Sequence, residues 1–147
     1  MDGLPVRTIL LADDNRNIRE FCRATLEDDG YRVVLACDGH EAIRLFSKER
    51  PDLAILDVSM PKANGLEVLR LIRGWAPHVP VVLFTAHNED CLYDRRASLA
   101  VAVIEKSEDL SELKRVVHRE IRASGFEGYS RTVRIGLPPL PAEASST

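Results

Sequence analysis

The chain has 147 residues, of which 45% are hydrophobic, and a formal net charge of −3. That is enough chain for one domain with a sizeable core, and the charge argues against a protein whose main task is gripping nucleic acid. No run approaches the roughly 18 apolar residues of a membrane-crossing helix, and the opening MDGLPVRT lacks the basic-then-apolar layout of a secretory leader. The three cysteines, Cys22, Cys37 and Cys91, are odd in number and widely spaced. They read as free thiols in a reducing, cytoplasmic setting rather than as a disulfide frame. The four histidines, His40, His78, His87 and His118, show no zinc spacing with them.

Five short runs are apolar without clean alternation, the pattern of strands buried on both faces. The first, VRTILLA from Val6, runs straight into Asp13 and Asp14. A helix follows, with Ile18, Phe21, Cys22 and Leu26 as its apolar stripe and Gly30 as its stop. YRVVLA from Tyr31 is the second strand. The second helix opens on Asp38 with Glu41 three residues later, a capping-box spacing, and Ala42, Leu45 and Phe46 supply its apolar face. DLAILD from Asp52 is the third strand, ending at Asp57, and the third helix carries Leu66, Leu69 and Ile72. VPVVLFT from Val79 is the fourth strand, ending at Thr85. A fourth helix, near Asp90 to Leu99, has only a thin stripe, interrupted by Arg95 and Arg96. AVAVIE from Ala100 is the fifth strand, followed by Lys106. The fifth helix has Leu110, Leu113, Val117 and Ile121, opened by Asp109 with Glu112 three later. After Ser124 the composition turns to glycine, proline and small polar residues, so 1–124 is expected as the domain and 125–147 as a tail or linker, with a brief strand possible at Thr132 to Ile135.

Strand and helix alternating in this way predict an α/β fold, a parallel sheet with helices on both faces. Such sheets bind ligands beyond the carboxyl ends of their strands. Asp13, Asp14, Asp57, Thr85 and Lys106 all fall there. Taken singly, each has an ordinary reading: either of the first two aspartates could cap the helix that follows, and the lysine could be solvated. Together they make a chemical set. Carboxylates crowded within a few ångströms repel, and one becomes protonated unless a cation joins them. Mg²⁺ suits such a site, since it takes oxygen ligands and is held by one or two carboxylates plus phosphate oxygens. An aspartate beside it can act as a nucleophile and form an aspartyl-phosphate. Lys106 then offers a point charge, and Thr85 a hydroxyl, to the phosphoryl group.

At these residues the chain resembles the receiver domains of bacterial two-component response regulators. The match rests on LLADDN with Asp13 and Asp14, on LAILDVSMPKANGLEVL with Asp57, Met60, Pro61 and Gly65, on VVLFTAH with Thr85 and Ala86, and on Lys106. It covers roughly residues 6 to 123, and the single-domain chemotaxis regulators are similar. The resemblance implies a flavodoxin-like, doubly wound five-stranded sheet in the order 2-1-3-4-5 with five helices. It implies Asp57 as phosphoacceptor, Asp14 as a direct Mg²⁺ ligand, Asp13 as one acting through water, and the Ser59 backbone carbonyl as the third protein ligand. Thr85 would hydrogen-bond the phosphoryl group and Lys106 would pair with it. Ser59 and His87 would flank the path of attacking water. The expected partners are a histidine kinase or histidine phosphotransfer protein and a downstream protein effector. A homodimer contact through the tail is a further expectation, and direct DNA binding is not expected.

The chain also departs from the family. The position three before the lysine, often aromatic, is Val103, and the proline that often follows the lysine is replaced by Ser107. A non-proline cis peptide costs about 3 kcal/mol, so the bond before Ser107 is expected to be trans. These departures keep open an alternative, a pseudo-receiver that serves as a constitutive interaction module. A phosphatase of the haloacid-dehalogenase type is disfavoured. It would need an acid/base residue two after the nucleophile, where Ser59 stands.

Overall fold

The structure, a computed structural model, describes residues 5–86 and 94–133, with side chains of the second stretch described through Ser124. In chain order come β1 (Thr8–Ala12), α1 (Arg16–Asp28), β2 (Arg32–Ala36), α2 (Gly39–Glu49), β3 (Leu53–Leu56), α3 (Gly65–Trp75), β4 (Val81–Thr85), a 3-10 turn (Arg95–Leu99), β5 (Ala102–Glu105) and α4 (Ser111–Val133). All five strands are parallel and lie in the order β2-β1-β3-β4-β5. This is the expected doubly wound sheet, with strand order reversing between β1 and β3.

The apolar runs lack alternation because both sheet faces are covered. Leu10, Ala54, Leu56, Val81 and Leu83 join Ala42, Phe46, Leu69 and Ile72 of α2 and α3 in one apolar layer. Ile9, Leu11, Ile55, Val82 and Phe84 join Cys22 and Leu26 of α1 and Leu113, Val117 and Ile121 of α4 in the other. Each fully buried leucine or phenylalanine contributes about 1.5–3 kcal/mol, so the sheet is held from both sides and its strand ends are fixed in position. Phe21 is an exception to the expected stripe: it lies on the flank of α1 and is 49% exposed.

The helix starts follow local chemistry. Asn15, not either aspartate, caps α1, its side-chain oxygen accepting the Ile18 N–H at 3.1 Å. Asp38 caps α2 through the Glu41 N–H at 2.8 Å, while Glu41 accepts the Cys37 N–H at 2.7 Å. Asn64 caps α3 through the Glu67 N–H at 3.0 Å. Asp109 accepts the Ser111 N–H at 2.9 Å and so opens α4 two residues later than its own position.

The expected fourth helix is, in its described part, the short 3-10 turn Arg95–Leu99, with Ala97 buried on the core and Asp94 capping it. Residues 87–93, including His87 and Cys91, lie outside the described residues. The backbone of α4 continues past Ser124 to Val133. Thr132 and Val133 are therefore helical, where a strand had been possible. No proline interrupts this stretch before Pro138, and a helix already nucleated propagates at little cost per residue. No described helix is long and apolar enough to cross a membrane. The described residues contain no cis peptide bond, and the Lys106–Ser107 bond is trans.

Candidate phosphoacceptor site

The fold brings the expected residues to one edge. Asp13 directly follows β1, Asp57 directly follows β3, Thr85 ends β4 and Lys106 directly follows β5. Carboxylate oxygens of Asp13, Asp14 and Asp57 lie within 4.8 Å of one another, with Asp13 and Asp57 buried and Asp14 exposed. Two such charges at 4.8 Å repel by about 3 kcal/mol at an effective dielectric of about 20. Lys106 offsets part of this: its Nζ lies 2.7 Å from Asp13 Oδ2 and 3.0 Å from Asp57 Oδ2, with the side chain only 13% exposed.

The protonation preferences follow from burial and pairing. Burial pushes the Asp57 carboxyl above its ordinary range, and the hydrogen bond from Lys106 and the Ser59 N–H pull it back only in part. Burial alone would lower the Lys106 ammonium, but its hydrogen bonds to Asp13 and Asp57 outweigh that and hold it above its ordinary value. The lysine is therefore charged at neutral pH. Cys22, beneath the site, is pushed up to about 11 by burial and is an inert thiol.

Asp13 is fixed at every polar atom. Its N–H donates to the Ala36 carbonyl at 3.0 Å, Oδ1 accepts the Asn15 N–H at 2.9 Å, and Oδ2 takes Lys106. Its carbonyl accepts from the Arg19 guanidinium at 2.7 Å. Asp57 is held by its N–H to the Ala12 carbonyl at 2.9 Å, and Oδ1 accepts the Ser59 N–H at 3.2 Å. Asp14, in contrast, has no hydrogen bond or ion pair among the described residues. Thr85 is buried, and its carbonyl accepts the Lys106 N–H at 2.9 Å, which ties the ends of β4 and β5 together.

Three supporting residues escape a reading based on charge alone. Gly65 sits against the phosphoacceptor candidate: a Cβ there would lie 2.2 Å from the Asp57 carbonyl oxygen. Its N–H donates to the Val58 carbonyl at 2.9 Å, so α3 begins directly under the Asp57 loop. Asn15 and Arg19 both act on Asp13. The signal for Asn15 was present, since it immediately precedes the helical pattern. Nothing in the spacing marks the reach of Arg19 back to a carbonyl.

Residues 9–118 match the response regulator receiver domain. The chain belongs to that family. Among curated receivers, the response regulator MprA of Mycolicibacterium vanbaalenii is 45% identical over 96 residues, which is 65% of this chain and 40% of that protein. MprA of Mycobacterium tuberculosis H37Rv is 44% identical over 91 residues, 62% of this chain and 39% of that protein. The chain thus spans about 40% of the length of the curated relatives it matches. Among solved receivers, TrrA of Thermotoga maritima in complex with Mg(2+)-BeF is 35% identical with a TM-score of 0.75, covering 78% of this chain and 99% of that one. TrrA in complex with the histidine kinase ThkA superposes with a TM-score of 0.73 at 35% identity, covering 78% and 98%. CheY4 of Vibrio cholerae, a chemotaxis protein, is 28% identical with a TM-score of 0.72, over 78% and 98% of the two chains.

The receiver's departures sit in and just after β5. Val103 of β5 pairs with Leu83 of β4 and is packed, partly buried, against the first apolar layer. Ser107 is exposed, and its hydroxyl accepts the Asp109 N–H at 3.0 Å.

Proposed function

We propose that this receiver accepts a phosphoryl group on Asp57 from the phosphohistidine of a histidine kinase or phosphotransfer protein, with Mg²⁺ as its cofactor. The observation that carries the reading is the pairing of a buried Asp57 with Lys106 beside two further carboxylates. The donor set fits the metal: all three side chains offer hard oxygens, and Asp14 has no competing partner among the described residues. Asp14 would hold Mg²⁺ directly, with Asp57 and the Ser59 carbonyl, and Asp13 through water. When bound, the metal neutralises charge on the phosphoryl oxygens.

The chain's own residues do the rest. Asp57 Oδ forms the new O–P bond as the donor's N–P bond breaks, and the departing imidazole keeps the electron pair and takes a proton. Desolvation of Asp57 raises the energy of its anion, which favours its reaction with phosphorus over remaining bare. Lys106 is already held at Asp57, so it meets the phosphoryl oxygens without first travelling to the site. The Thr85 hydroxyl supplies a hydrogen bond to the same oxygens. The reaction modifies the chain itself, so this is a signalling component that turns over no outside metabolite.

The phosphorylated receiver would change its contacts with a downstream protein, in the cytoplasm, and a homodimer through the stretch after Ser124 is part of the same reading. Direct DNA binding by residues 5–124 is not proposed. The complete set of Asp13, Asp14, Asp57, Thr85 and Lys106 favours a working receiver over a pseudo-receiver. Intact-protein mass after incubation with acetyl phosphate tests the reading. One added phosphoryl group, dependent on Mg²⁺, is expected; no addition from acetyl phosphate or from a phosphorylated kinase overturns it.

A further inference from the structure

We infer that Arg19 is a positioning residue that sets how tightly the acidic site holds Mg²⁺, an inference that rests on the receiver reading above. Asp13 lies between the end of β1 at Ala12 and the start of α1 at Arg16. Its carbonyl is therefore outside both regular elements, and the Arg19 guanidinium takes it at 2.7 Å. That carbonyl belongs to the peptide plane that leads into Asp14. Holding the oxygen orients the plane, and the plane orients Asp14. This matters because Asp14, alone of the three carboxylates, has no partner of its own among the described residues. Asp13 is pinned by Ala36, Asn15 and Lys106, and Asp57 by Lys106 and Ser59. The direction of Asp14 is set by its backbone: the Asp13 carboxylate closes the turn around it through the Asn15 N–H, and Arg19 holds the peptide plane that leads into it.

The geometry also keeps this guanidinium off the ligand atoms. It donates to a main-chain oxygen and leaves the carboxylate oxygens to Lys106 and to a metal. Charge alone would act the other way: a cation beside the site repels Mg²⁺, so its removal would tighten binding. Positioning and repulsion predict opposite signs, and one variant decides between them. Partners that orient metal ligands typically change metal affinity by about 10–100-fold when lost.

The test uses the full chain with Arg19→Met, which keeps the apolar stem and helix propensity but removes the donor, and Arg19→Lys, which restores one. Mg²⁺ affinity is measured by calorimetry and by the rise in melting temperature with Mg²⁺, alongside acetyl phosphate uptake across Mg²⁺ concentration. In Arg19→Met, half-saturating Mg²⁺ is expected to rise about tenfold. Uptake should recover at saturating Mg²⁺, and the metal-free melting temperature should stay close to that of the parent. Arg19→Lys should fall between the two. An unchanged or tighter Mg²⁺ affinity in Arg19→Met overturns the inference while leaving the receiver reading intact. A parent chain that binds no Mg²⁺ and takes up no phosphoryl group overturns both.

Discussion

The carboxyl edge of the sheet and the stretch from Asp94 to Val101 hold their charges in opposite ways. At the edge, Asp13, Asp57 and Thr85 are buried and Lys106 is nearly so. In the other stretch, Arg96 is bound to Asp94 at 2.8 Å and to Glu67 of α3 at 3.3 Å, all partly exposed, with Leu99 and Val101 open to solvent. Buried charges must be fully paired or the fold suffers, so their geometry is tightly determined. Exposed pairs contribute about 0–1 kcal/mol each and determine little. The same chain thus has a rigid chemical end and a lightly braced neighbour, and its departures from the family, Val103 and Ser107, are not among the paired charges of the rigid end.

The buried edge is most sensitive at Asp57. Asp57→Asn should abolish phosphoryl uptake measured by intact mass; uptake at the parent level would remove Asp57 from its role. Next comes Lys106→Met, which strands Asp57 and Asp13 without their cation. A loss of about 3 kcal/mol at neutral pH is expected from breaking a buried pair, read by urea unfolding. The pH dependence has a definite sign. The Asp57 carboxyl is raised in the folded chain, so its contribution to stability is present below the ordinary carboxylate range and lost as pH rises through its folded value. The deficit of Lys106→Met should therefore shrink in acid, as Asp57 takes a proton.

Two smaller changes test the loop beneath Asp57. Gly65→Ala puts a methyl group against the Asp57 carbonyl and should cost about 1–3 kcal/mol as the neighbours shift, with weaker uptake at a given Mg²⁺. Lys62 has φ 73, in the left-handed region, so Lys62→Gly should stabilise the chain by up to about 1 kcal/mol despite glycine's greater freedom when unfolded. Smallest of all is Arg96→Ala, expected to cost less than about 1 kcal/mol and to leave uptake unchanged. A large loss there, by the same urea measurement, would show that the light brace is a structural one after all.

The legibility of the sequence follows the same division. The five strands and the five polar residues at their ends were readable, because burial on both faces excludes polar residues from the runs and leaves them at the ends; the order of the strands came only with the family resemblance. Asp38 was readable as a cap because its capping-box partner is local. Asn15 was overshadowed by two neighbouring aspartates with equal capping ability, and only the tertiary demand on Asp13 separates them. A helix was expected near Asp90 to Leu99 on a thin stripe, and its described part is the turn Arg95–Leu99. One buried residue, Ala97, and a half-buried cap at Asp94, whose carboxyl the Arg96 side chain holds down at about 2, suffice for a 3-10 turn. The continuation of α4 to Val133 was hidden because two glycines and a Thr-Val pair weaken the local signal, whereas the helix is nucleated upstream by Leu113, Val117 and Ile121 on the core.

The strand order also has a consequence in time. β1 pairs with β2 and β3, so a chain emerging from its N-terminus can complete that three-stranded unit before β4 exists. That early unit already contains Asp13, Asp14 and Asp57. Lys106 follows the last strand, and its ammonium must reach past β4 to meet them. For an interval during synthesis or refolding, the carboxylates are assembled without their counter-charge. Docking of β5 is then the electrostatic closing step, and acid or Mg²⁺, by neutralising the carboxylates, should ease their repulsion during the interval.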